Sequence, residues 1–351
     1  MLTKKIIILS FAFLLSCSRI VTNLNENSWA ESVIKKMTLR EKIAQMMVYR
    51  MNMHYVNFEN KDWRELIQLI ETDGIGIIHI WFGDVGSSLT TLNFLQQKSK
   101  LPILVEADIE SGLGRRYNGS VRLPPMMAIA ATGNSYYAYE AGRISAEESR
   151  AVGIHFNLAP VVDVNNNPKN PIINTRSFGE VPDSVQKYSK DFIKGLKDFG
   201  MLTTAKHFPG HGDTETDSHS ALAMIPSDSA RLWNIELPPF RYAIEAGVDA
   251  VMIAHVSAPD FQRHSEVPAS LSSFWIQDIL RKEMSFNGAV ITDAMGMGGI
   301  IKNYSDDYAI VETIKAGSDI IIQNDRLSHF IDVIEKAVLE NEIDEDQINQ
   351  S

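Results

Sequence analysis

A single cysteine, Cys17, is present among the 351 residues of the sequence. One thiol excludes an intrachain disulfide, a thiolate zinc cluster and a Cys-X-X-Cys redox pair within this chain. Positive charge is also scarce, since 33 lysines and arginines stand against 44 aspartates and glutamates, a net charge of −11. That sign is wrong for a protein whose affinity depends on neutralising phosphates, so we expect no nucleic-acid partner.

Linkers and repeats are absent as well. Beyond residue 28 the sequence has no Pro- or Ser-rich linker, no block of like charge and no tandem repeat. The remainder is therefore predicted to be one domain. With 44% hydrophobic and 22% charged residues, the composition is that of a globular protein and excludes disorder and collagen.

The N-terminus has the pattern of an export signal. Lys4 and Lys5 precede the apolar residues 6–15, after which the chain turns polar. This apolar run is about half the roughly 20 residues that a membrane-spanning helix needs. Residues 1–16 are therefore predicted to be a signal peptide and residues 17–28 a tether.

Residues 14–17, Leu-Leu-Ser-Cys, resemble the lipobox of bacterial lipoproteins. In that motif, cleavage leaves the cysteine as the new N-terminus and lipid is attached to its sulfur. The resemblance implies a lipid anchor on Cys17 and an exported protein on the periplasmic side of the cell envelope, with the outer membrane favoured. The alternative is an ordinary secretory peptide that contains a chance cysteine.

Two kinds of segment alternate along the rest of the chain. Short apolar runs rich in β-branched residues occur at 74–80, 103–108, 154–163, 202–207, 250–255, 289–293 and 320–323. Helical patterns occur between them at 63–70, 136–152, 185–199, 237–246, 273–284 and 308–316, and several end in glycine. Seven or eight such units predict a single (β/α)₈ TIM-like barrel over residues 29–351, with an open doubly wound sheet as the alternative.

Polar or titratable residues close most of the apolar runs. They are Asp108, Asp163, Lys206, His207, His255, Asp293 and Gln323. Active sites of such barrels lie at the C-terminal ends of the strands, so these side chains predict a pocket there. For Asp163 and His255 we favour a structural role, as a helix cap or a paired wall residue.

The segment 206–219, Lys-His-Phe-Pro-Gly-His-Gly-Asp-Thr-Glu-Thr-Asp-Ser-His, is dense in acids and imidazoles. A zinc site of the helical two-histidine kind is disfavoured because Pro209 and Gly210 forbid a continuous helix. A purely structural loop remains an alternative, since Gly and Asp are ordinary turn formers. We favour acid/base catalysis by His219 with Asp217 orienting its ring, because only this interpretation explains the pairing.

The same segment resembles the KHFPGHG-x-x-x-x-DSH signature of glycoside hydrolase family 3, in particular of its β-N-acetylglucosaminidases. Further blocks of the family are matched in the right order at 108–112, 159–165, 176–179, 268–272 and 280–293. The resemblance covers roughly residues 35 to 325, and several separated blocks are far more specific than one short motif. It implies the barrel fold and a glycoside hydrolase.

The resemblance also implies roles for individual residues. Asp293 matches the nucleophile that forms a covalent glycosyl-enzyme, and His219 with Asp217 matches the acid/base dyad of the subgroup. The residues that match those gripping the sugar are Asp108, Arg176, Lys206 and His207. No metal and no cofactor are implied. The implied substrates are glycans with a non-reducing terminal β-linked N-acetylglucosamine (GlcNAc), including muropeptides from peptidoglycan turnover.

Three departures from the family pattern bear on these expectations. Ala294 follows Asp293 where the family often has a second aspartate, which does not affect the nucleophile. The stretch from Glu110 to Arg116 leaves open whether Arg115 or Arg116 faces the pocket. The chain stops near the start of what would be the last barrel helix. Either that helix is absent or the sequence is a fragment of a longer chain, in which case a C-terminal domain like that of some exported relatives is one candidate for the missing part.

Other functions on the same fold are kept as alternatives. A β-glucosidase or β-xylosidase is one, and phosphorolysis is another, because an imidazole repels incoming phosphate less than a carboxylate does. An inactive glycan-binding lipoprotein belongs to a different class. Retention of Asp293, Asp217 and His219 together argues against it, since binding alone requires neither a nucleophile nor a proton shuttle.

Overall fold

The computed structural model describes residues 26–54, 60–226, 229–262, 265–323 and 325–351. The expected signal peptide, Cys17 and most of the expected tether lie outside these residues. Residues 26–38 belong to a small N-terminal unit that contains helix α1 (Glu26–Ile34), and residues 39–351 form the second, large unit. Within the described ranges, no helix is both long and apolar enough to cross a bilayer.

Eight parallel strands form the centre of the large unit. They are β1 (Met47–Met53), β2 (Ile77–Asp84), β3 (Leu104–Ala107), β4 (Phe156–Asn157), β5 (Leu202–Phe208), β6 (Ala250–Ile253), β7 (Ala289–Thr292) and β8 (Ile321–Gln323). Each pairs with its neighbour in sequence, β1 pairs with β8, and a single bridge between Ile291 and Ile320 joins β7 to β8. The predicted (β/α)₈ barrel is confirmed.

Helices cover the outside of the barrel. They are α2 (Leu39–Met46), α3 (Lys61–Gln68), α4 (Val85–Lys98), α5 (Met126–Ala130), α6 (Tyr136–Ala151), α7 (Pro182–Asp198), α8 (Ser229–Asn234), α9 (Pro238–Glu245), α10 (Gly298–Ile301), α11 (Asp306–Ala316), α12 (Leu327–Leu339) and α13 (Glu345–Gln350). A π-helical turn, Leu69–Asp73, continues α3, and a π-helix over Phe274–Glu283 precedes β7. Short 3₁₀ turns occupy Leu113–Arg115, Asn174–Arg176 and Ala269–Leu271.

Local sequence explains where these helices begin and end. The side chains of Asp84 and Ser305 accept hydrogen bonds from backbone N–H groups in the first turns of α4 and α11. Gly317 ends α11 in the left-handed conformation that glycine adopts without strain. Glycine is also required where α6 meets α7, because a Cβ on Gly195 would lie 2.1 Å from the carbonyl oxygen of Tyr139.

The core has two layers. Inside the barrel, apolar side chains from six strands and the segment after β4 form one cluster: Val48, Ile77, Phe156, Leu158, Ala250, Met252, Ile291 and Ile322. Two larger clusters fill the space between strands and helices. The interior is thus packed, as expected of a small barrel.

Two strands differ from the sequence-based prediction. β1 was not predicted, because its sequence Met-Val-Tyr-Arg-Met-Asn-Met carries Arg50 and Asn52 and few β-branched residues. β4 was predicted over 154–163 but pairs regularly only at Phe156–Asn157. Farther along, the contact continues as one bridge between Val161 and Lys206. Strand extent here depends on barrel closure, which local propensity does not encode.

Candidate active site

A pocket of about 610 Å³ opens at the C-terminal ends of the strands. Six of the seven residues predicted for catalysis or sugar binding line it: Asp108, Arg176, Lys206, His207, His219 and Asp293. The seventh, Asp217, contacts His219. The fold therefore brings together residues that are spread over nearly 200 positions of the sequence.

Lys206 lines the pocket with a side chain that is only 2% exposed. Its Nζ is 2.7 Å from Oδ1 of Asp108 and 2.9 Å from Oε1 of Glu110. Burial opposes ionisation of all three groups, but the attraction between Lys206 and the two carboxylates, joined at Glu110 by that of Arg176, outweighs it. The pKa of Asp108 and that of Glu110 are held well below their ordinary values, and the pKa of Lys206 is raised.

Arg176 extends this arrangement from the 3₁₀ turn between β4 and α7. Its guanidinium binds Glu110 in bidentate fashion, with Nε–Oε2 at 3.0 Å and Nη2–Oε1 at 2.8 Å. Its Nη2 also lies 3.3 Å from Nε2 of His207. We call Asp108, Glu110, Arg176 and Lys206 the buried charge network. Its members line the pocket, and charge-assisted hydrogen bonds between them fix the orientation of their side chains.

Asp163 lies behind the pocket wall and is fully buried. Its Oδ2 is 2.7 Å from Nδ1 of His207, and its Oδ1 accepts the backbone N–H of His211 at 2.7 Å. Burial opposes its ionisation, yet the His207 contact helps to keep the pKa of Asp163 below its ordinary value. It fixes the segment that carries His207, which is the structural role favoured for it from the sequence.

Asp293 follows β7 and faces the pocket. One of its carboxylate oxygens, Oδ1, accepts the backbone N–H of Ala294 at 2.8 Å. Burial alone would raise the pKa of Asp293, but the hydrogen bond from Ala294 and the charge of the nearby Lys206 help to hold it below its ordinary value. The group is therefore an ionised carboxylate at neutral pH, as a nucleophile requires.

His255 supports the Asp293 segment from below. Its ring is fully buried, with Nδ1 2.8 Å from Oγ of Ser270 and Nε2 3.0 Å from the carbonyl oxygen of Ala294. Burial lowers the pKa of His255, so the ring is neutral and its Nε2–H donates to the Ala294 carbonyl. This is again the structural role that the sequence analysis favoured.

Asp217 and His219 form the loop dyad, in the segment after β5. Oδ1 of Asp217 accepts both the backbone N–H of His219, at 2.9 Å, and its ring Nδ1–H, at 2.7 Å. Backbone contacts and the His219 ring offset burial and lower the pKa of Asp217, so it accepts these bonds as a carboxylate. Because Nδ1 is engaged, Nε2 is the nitrogen left to act on a substrate.

The loop dyad is tied to the segment that carries Asp293. The N–H groups of Gly298 and Gly299 donate to the carbonyl oxygens of His219 and Ser218, each at 3.0 Å. A Cβ on Gly298 would lie 2.6 Å from the carbonyl oxygen of Ser220, so only glycine permits this approach. The two segments that hold the predicted nucleophile and the predicted acid/base thus share backbone hydrogen bonds.

Several lining residues were not predicted. Arg115 and Arg116 both line the pocket, and Nη2 of Arg116 is 3.1 Å from Oδ2 of Asp108, which answers the question that the sequence left open. His79 lies in β2 with Nδ1 3.2 Å from Oε1 of the fully buried Glu106. The available signal was a titratable side chain inside each of two apolar runs, where a buried charge is rare.

An ionised carboxylate, a solvent-accessible imidazole and a charged network around one pocket can perform displacement at an acetal carbon with proton transfer to the leaving oxygen. On a (β/α)₈ barrel, this combination is typical of glycoside hydrolases. A family model described as the Glycosyl hydrolase family 3 N terminal domain matches residues 38–351. The chain therefore belongs to glycosyl hydrolase family 3, as the sequence motifs predicted.

Individual relatives agree with this assignment. A beta-N-acetylglucosaminidase/beta-glucosidase from Cellulomonas fimi is 28% identical over 307 residues, covering 84% of this chain and 52% of that protein. A beta-hexosaminidase from Vibrio cholerae is 34% identical over 275 residues, covering 78% of this chain and 81% of the relative. The solved structure of a family 3 beta-N-acetylglucosaminidase from Paenibacillus sp. is 37% identical with a TM-score of 0.83, covering 90% of this chain and 60% of that one.

Coverage differs among these relatives. The chain spans about half the length of two curated relatives, 52% of the Cellulomonas fimi protein and 47% of a beta-hexosaminidase A from Pseudoalteromonas piscicida. The shared part is the barrel that carries the pocket described above.

Proposed function

We propose that the protein is a retaining exo-β-N-acetylglucosaminidase that releases terminal GlcNAc from glycans. The observation that carries the proposal is the presence, in one pocket, of the ionised Asp293 and the paired Asp217 and His219. The names of the relatives, which include beta-hexosaminidases and beta-N-acetylglucosaminidases, support the same substrate class. Activity and substrate are proposals about this chain.

In the first step of the proposed reaction, a carboxylate oxygen of Asp293 attacks the anomeric carbon of the terminal sugar. The carbon–oxygen bond to the leaving group breaks as the new ester bond forms, and Nε2–H of His219 gives its proton to the departing oxygen. The imidazolium needed for this transfer is stabilised by the Asp217 carboxylate at Nδ1. The products are a glycosyl-enzyme on Asp293 and the free aglycone.

In the second step, the now neutral His219 takes a proton from a water molecule at Nε2. The water oxygen attacks the anomeric carbon, the ester bond to Asp293 breaks, and GlcNAc leaves with its original anomeric configuration. Histidine suits both steps because it changes protonation state near neutral pH. The buried charge network and His207 would hold the sugar hydroxyls throughout, in fixed orientation relative to Asp293.

The cellular setting is a second part of the proposal. The lipobox-like residues 14–17 support lipid attachment at Cys17 and a position on the periplasmic side of the envelope. Muropeptides released during peptidoglycan turnover would be the substrates available there. If Cys17→Ala leaves the protein in the membrane fraction to the same extent as the unchanged chain, the anchor is not at this cysteine.

The activity is tested with 4-nitrophenyl N-acetyl-β-glucosaminide beside the corresponding glucoside and xyloside, with and without phosphate. We expect turnover of the N-acetylglucosaminide that Asp293→Asn reduces by about 10⁴-fold or more. Asp198→Asn is the matched control, since Asp198 is a half-exposed partner of Lys194 at the end of α7.

The other possible results of this assay would each indicate a different function. Preference for the glucoside would favour the second activity in the name of the Cellulomonas fimi relative. Faster turnover with phosphate would indicate a phosphorylase. No turnover of any of the three, with binding of glycans retained, would indicate a glycan-binding protein.

A further inference from the structure

The side of the pocket formed by β1, β2 and the loop after β3 carries a cluster of cations around one aromatic ring. The guanidinium carbons of Arg50 and Arg116 each lie 4.1 Å from the ring centroid of Trp81. Arg115 lines the pocket beside them. We call Arg50, Trp81, Arg115 and Arg116 the cationic wall. Stacking on an indole holds a guanidinium in place while leaving its N–H donors free to bind a ligand.

The cationic wall has more positive charge than its acidic neighbours balance. In the ranges that the structure describes, Arg116 forms an ion pair with Asp108 alone, and the same carboxylate also binds Lys206. Among the described residues, no carboxylate lies within ion-pair distance of Arg50. Burial and repulsion from Arg116 both lower the pKa of Arg50, and the attraction of Asp108 opposes them only in part.

Such an arrangement is costly in the absence of an anion. A half-buried guanidinium has lost part of its hydration, and here a second guanidinium is held against the same indole ring. The rest of the chain is acidic, with a net charge of −11, so this local excess is not a consequence of general composition. A neutral sugar hydroxyl would not remove the repulsion, whereas a bound anion would.

The position of the cationic wall indicates which part of a substrate it meets. In a closed ring of eight strands, β2 lies opposite β6, and the segments after β5 and β7 flank β6. Those two segments carry His219 and Asp293, the residues proposed to act on the leaving oxygen and the anomeric carbon. The cationic wall therefore faces the part of the terminal sugar that is remote from the leaving group.

We propose that the cationic wall binds an anionic substituent, a phosphate or a carboxylate, carried by the terminal sugar itself. The preferred substrates are then glycosides whose non-reducing end is an acidic amino sugar rather than plain GlcNAc. Arg50 and Arg115 determine this specificity, and Trp81 holds Arg50 for the contact. The proposal rests on the proposed function, because it assumes that a sugar occupies this pocket.

The test measures binding by calorimetry on the full chain, so that it does not depend on turnover. GlcNAc, GlcNAc 6-phosphate and N-acetylmuramic acid are the three probes, the second carrying a phosphate and the third a carboxylate. We expect at least one of the acidic sugars to bind about tenfold or more tightly than GlcNAc. Whichever acidic sugar is preferred identifies the source of the anion.

Arg50→Gln should reduce this preference to about twofold or less, and Arg50→Lys should keep part of it. Binding of neutral GlcNAc should be the same in Arg50→Gln as in the unchanged chain, which also establishes that the variant is folded. Arg115→Gln, at an exposed position, should weaken the preference without affecting GlcNAc.

Two results would overturn the inference while leaving the proposed function intact. One is equal or weaker binding of both acidic sugars relative to GlcNAc. The other is a preference that survives unchanged in Arg50→Gln. Failure of all three sugars to bind, GlcNAc included, would instead overturn the proposed function together with this inference.

Discussion

The buried charge network and the loop dyad line the same pocket, but the fold holds them in different ways. In the network, Lys206 is 2% exposed and contacts Asp108 and Glu110, while Arg176 completes the set. In the dyad, the side chain of His219 is 57% exposed and that of Asp217 is 35% exposed. The ring of His219 has its hydrogen bond only with Asp217 among the described residues.

This difference separates two requirements of catalysis. Every member of the network neutralises another buried charge, so the fold itself depends on the groups proposed to hold the sugar. The members of the dyad bind each other and nearby backbone, so replacing either side chain should change the free energy of unfolding only slightly. The groups proposed to position the substrate are thus built into the barrel, whereas the groups proposed to transfer the proton lie on an exposed loop.

Lys206→Met gives the largest expected effect, because it leaves Asp108 and Glu110 buried without their shared cation. We expect a loss of about 3–5 kcal/mol in the free energy of unfolding, measured by denaturant titration, together with loss of turnover. Lys194→Met is the matched control, since Lys194 forms an exposed pair with Asp198 and should leave stability unchanged. A stable Lys206→Met protein would mean that the network is not required by the fold.

His219→Ala should produce the opposite result, a loss of activity with no loss of stability. We expect turnover of glycosides with poor leaving groups to fall by about 10²–10⁴-fold, while activated phenyl glycosides lose far less because they need no proton. His329→Ala serves as the control, because His329 is a half-exposed surface histidine 2.7 Å from an oxygen of Asp307. Equal losses on both kinds of substrate would exclude His219 as the acid.

Acid provides a third test, on a buried histidine that lies eight positions before His219. His211 is buried between Thr214 and Ser218, and burial lowers its pKa to about 4. The unfolded chain binds a proton at this residue near pH 6.5, so the folded state loses stability as the pH falls from 6.5 towards 4. By pH 5, this single group should cost about 2 kcal/mol of the free energy of unfolding.

His211→Gln removes this group, so it should reduce the difference in unfolding free energy between pH 7 and pH 5. Denaturant titrations at the two pH values measure that difference. Lys194→Gln is the control, because an exposed lysine keeps its proton throughout this pH range and its loss should leave the difference unchanged. If His211→Gln also leaves the difference unchanged, burial of His211 is not a source of acid sensitivity.

The sequence predicted the barrel because continuous apolar runs alternate with helical patterns. This alternation identifies the fold even where the predicted bounds of a strand differ from those in the structure. It also predicted the site residues that close strands, such as Asp108 and Asp293. It could not predict the pairing of Lys206 with Asp108, 98 positions away, because that contact exists only once the barrel closes. The roles of Asp293, His219 and Asp217 came from resemblance to a family and stay predictions.

The residues that sequence reasoning missed share one physical property. They are titratable side chains within strands: Arg50, His79 and Glu106. In the sequence, each interrupts an apolar run and therefore weakens the strand pattern. Their partners come from neighbouring strands, so their function depends on register. Such interruptions of an apolar run are the signal by which pocket residues of this kind could have been found.

The smallest expected effect comes from Glu106, which is as buried as the network but belongs to neither region. Burial raises the pKa of Glu106, opposed by its contact with His79, and its Oε2 has no hydrogen-bond partner in the part of the chain that the structure describes. A carboxyl group with these properties loses little when it is made permanently neutral. Glu106→Gln should therefore change the free energy of unfolding by less than about 1 kcal/mol.

Glu110→Gln is the decisive comparison, since it makes the same chemical change four positions along the chain. Glu110 neutralises both Arg176 and Lys206, so its loss should cost about 3–5 kcal/mol and impair sugar binding. Parallel denaturant titrations of the two variants measure the difference. Equal costs would mean that burial alone determines how much a carboxylate contributes here; unequal costs would mean that the number of charged partners does.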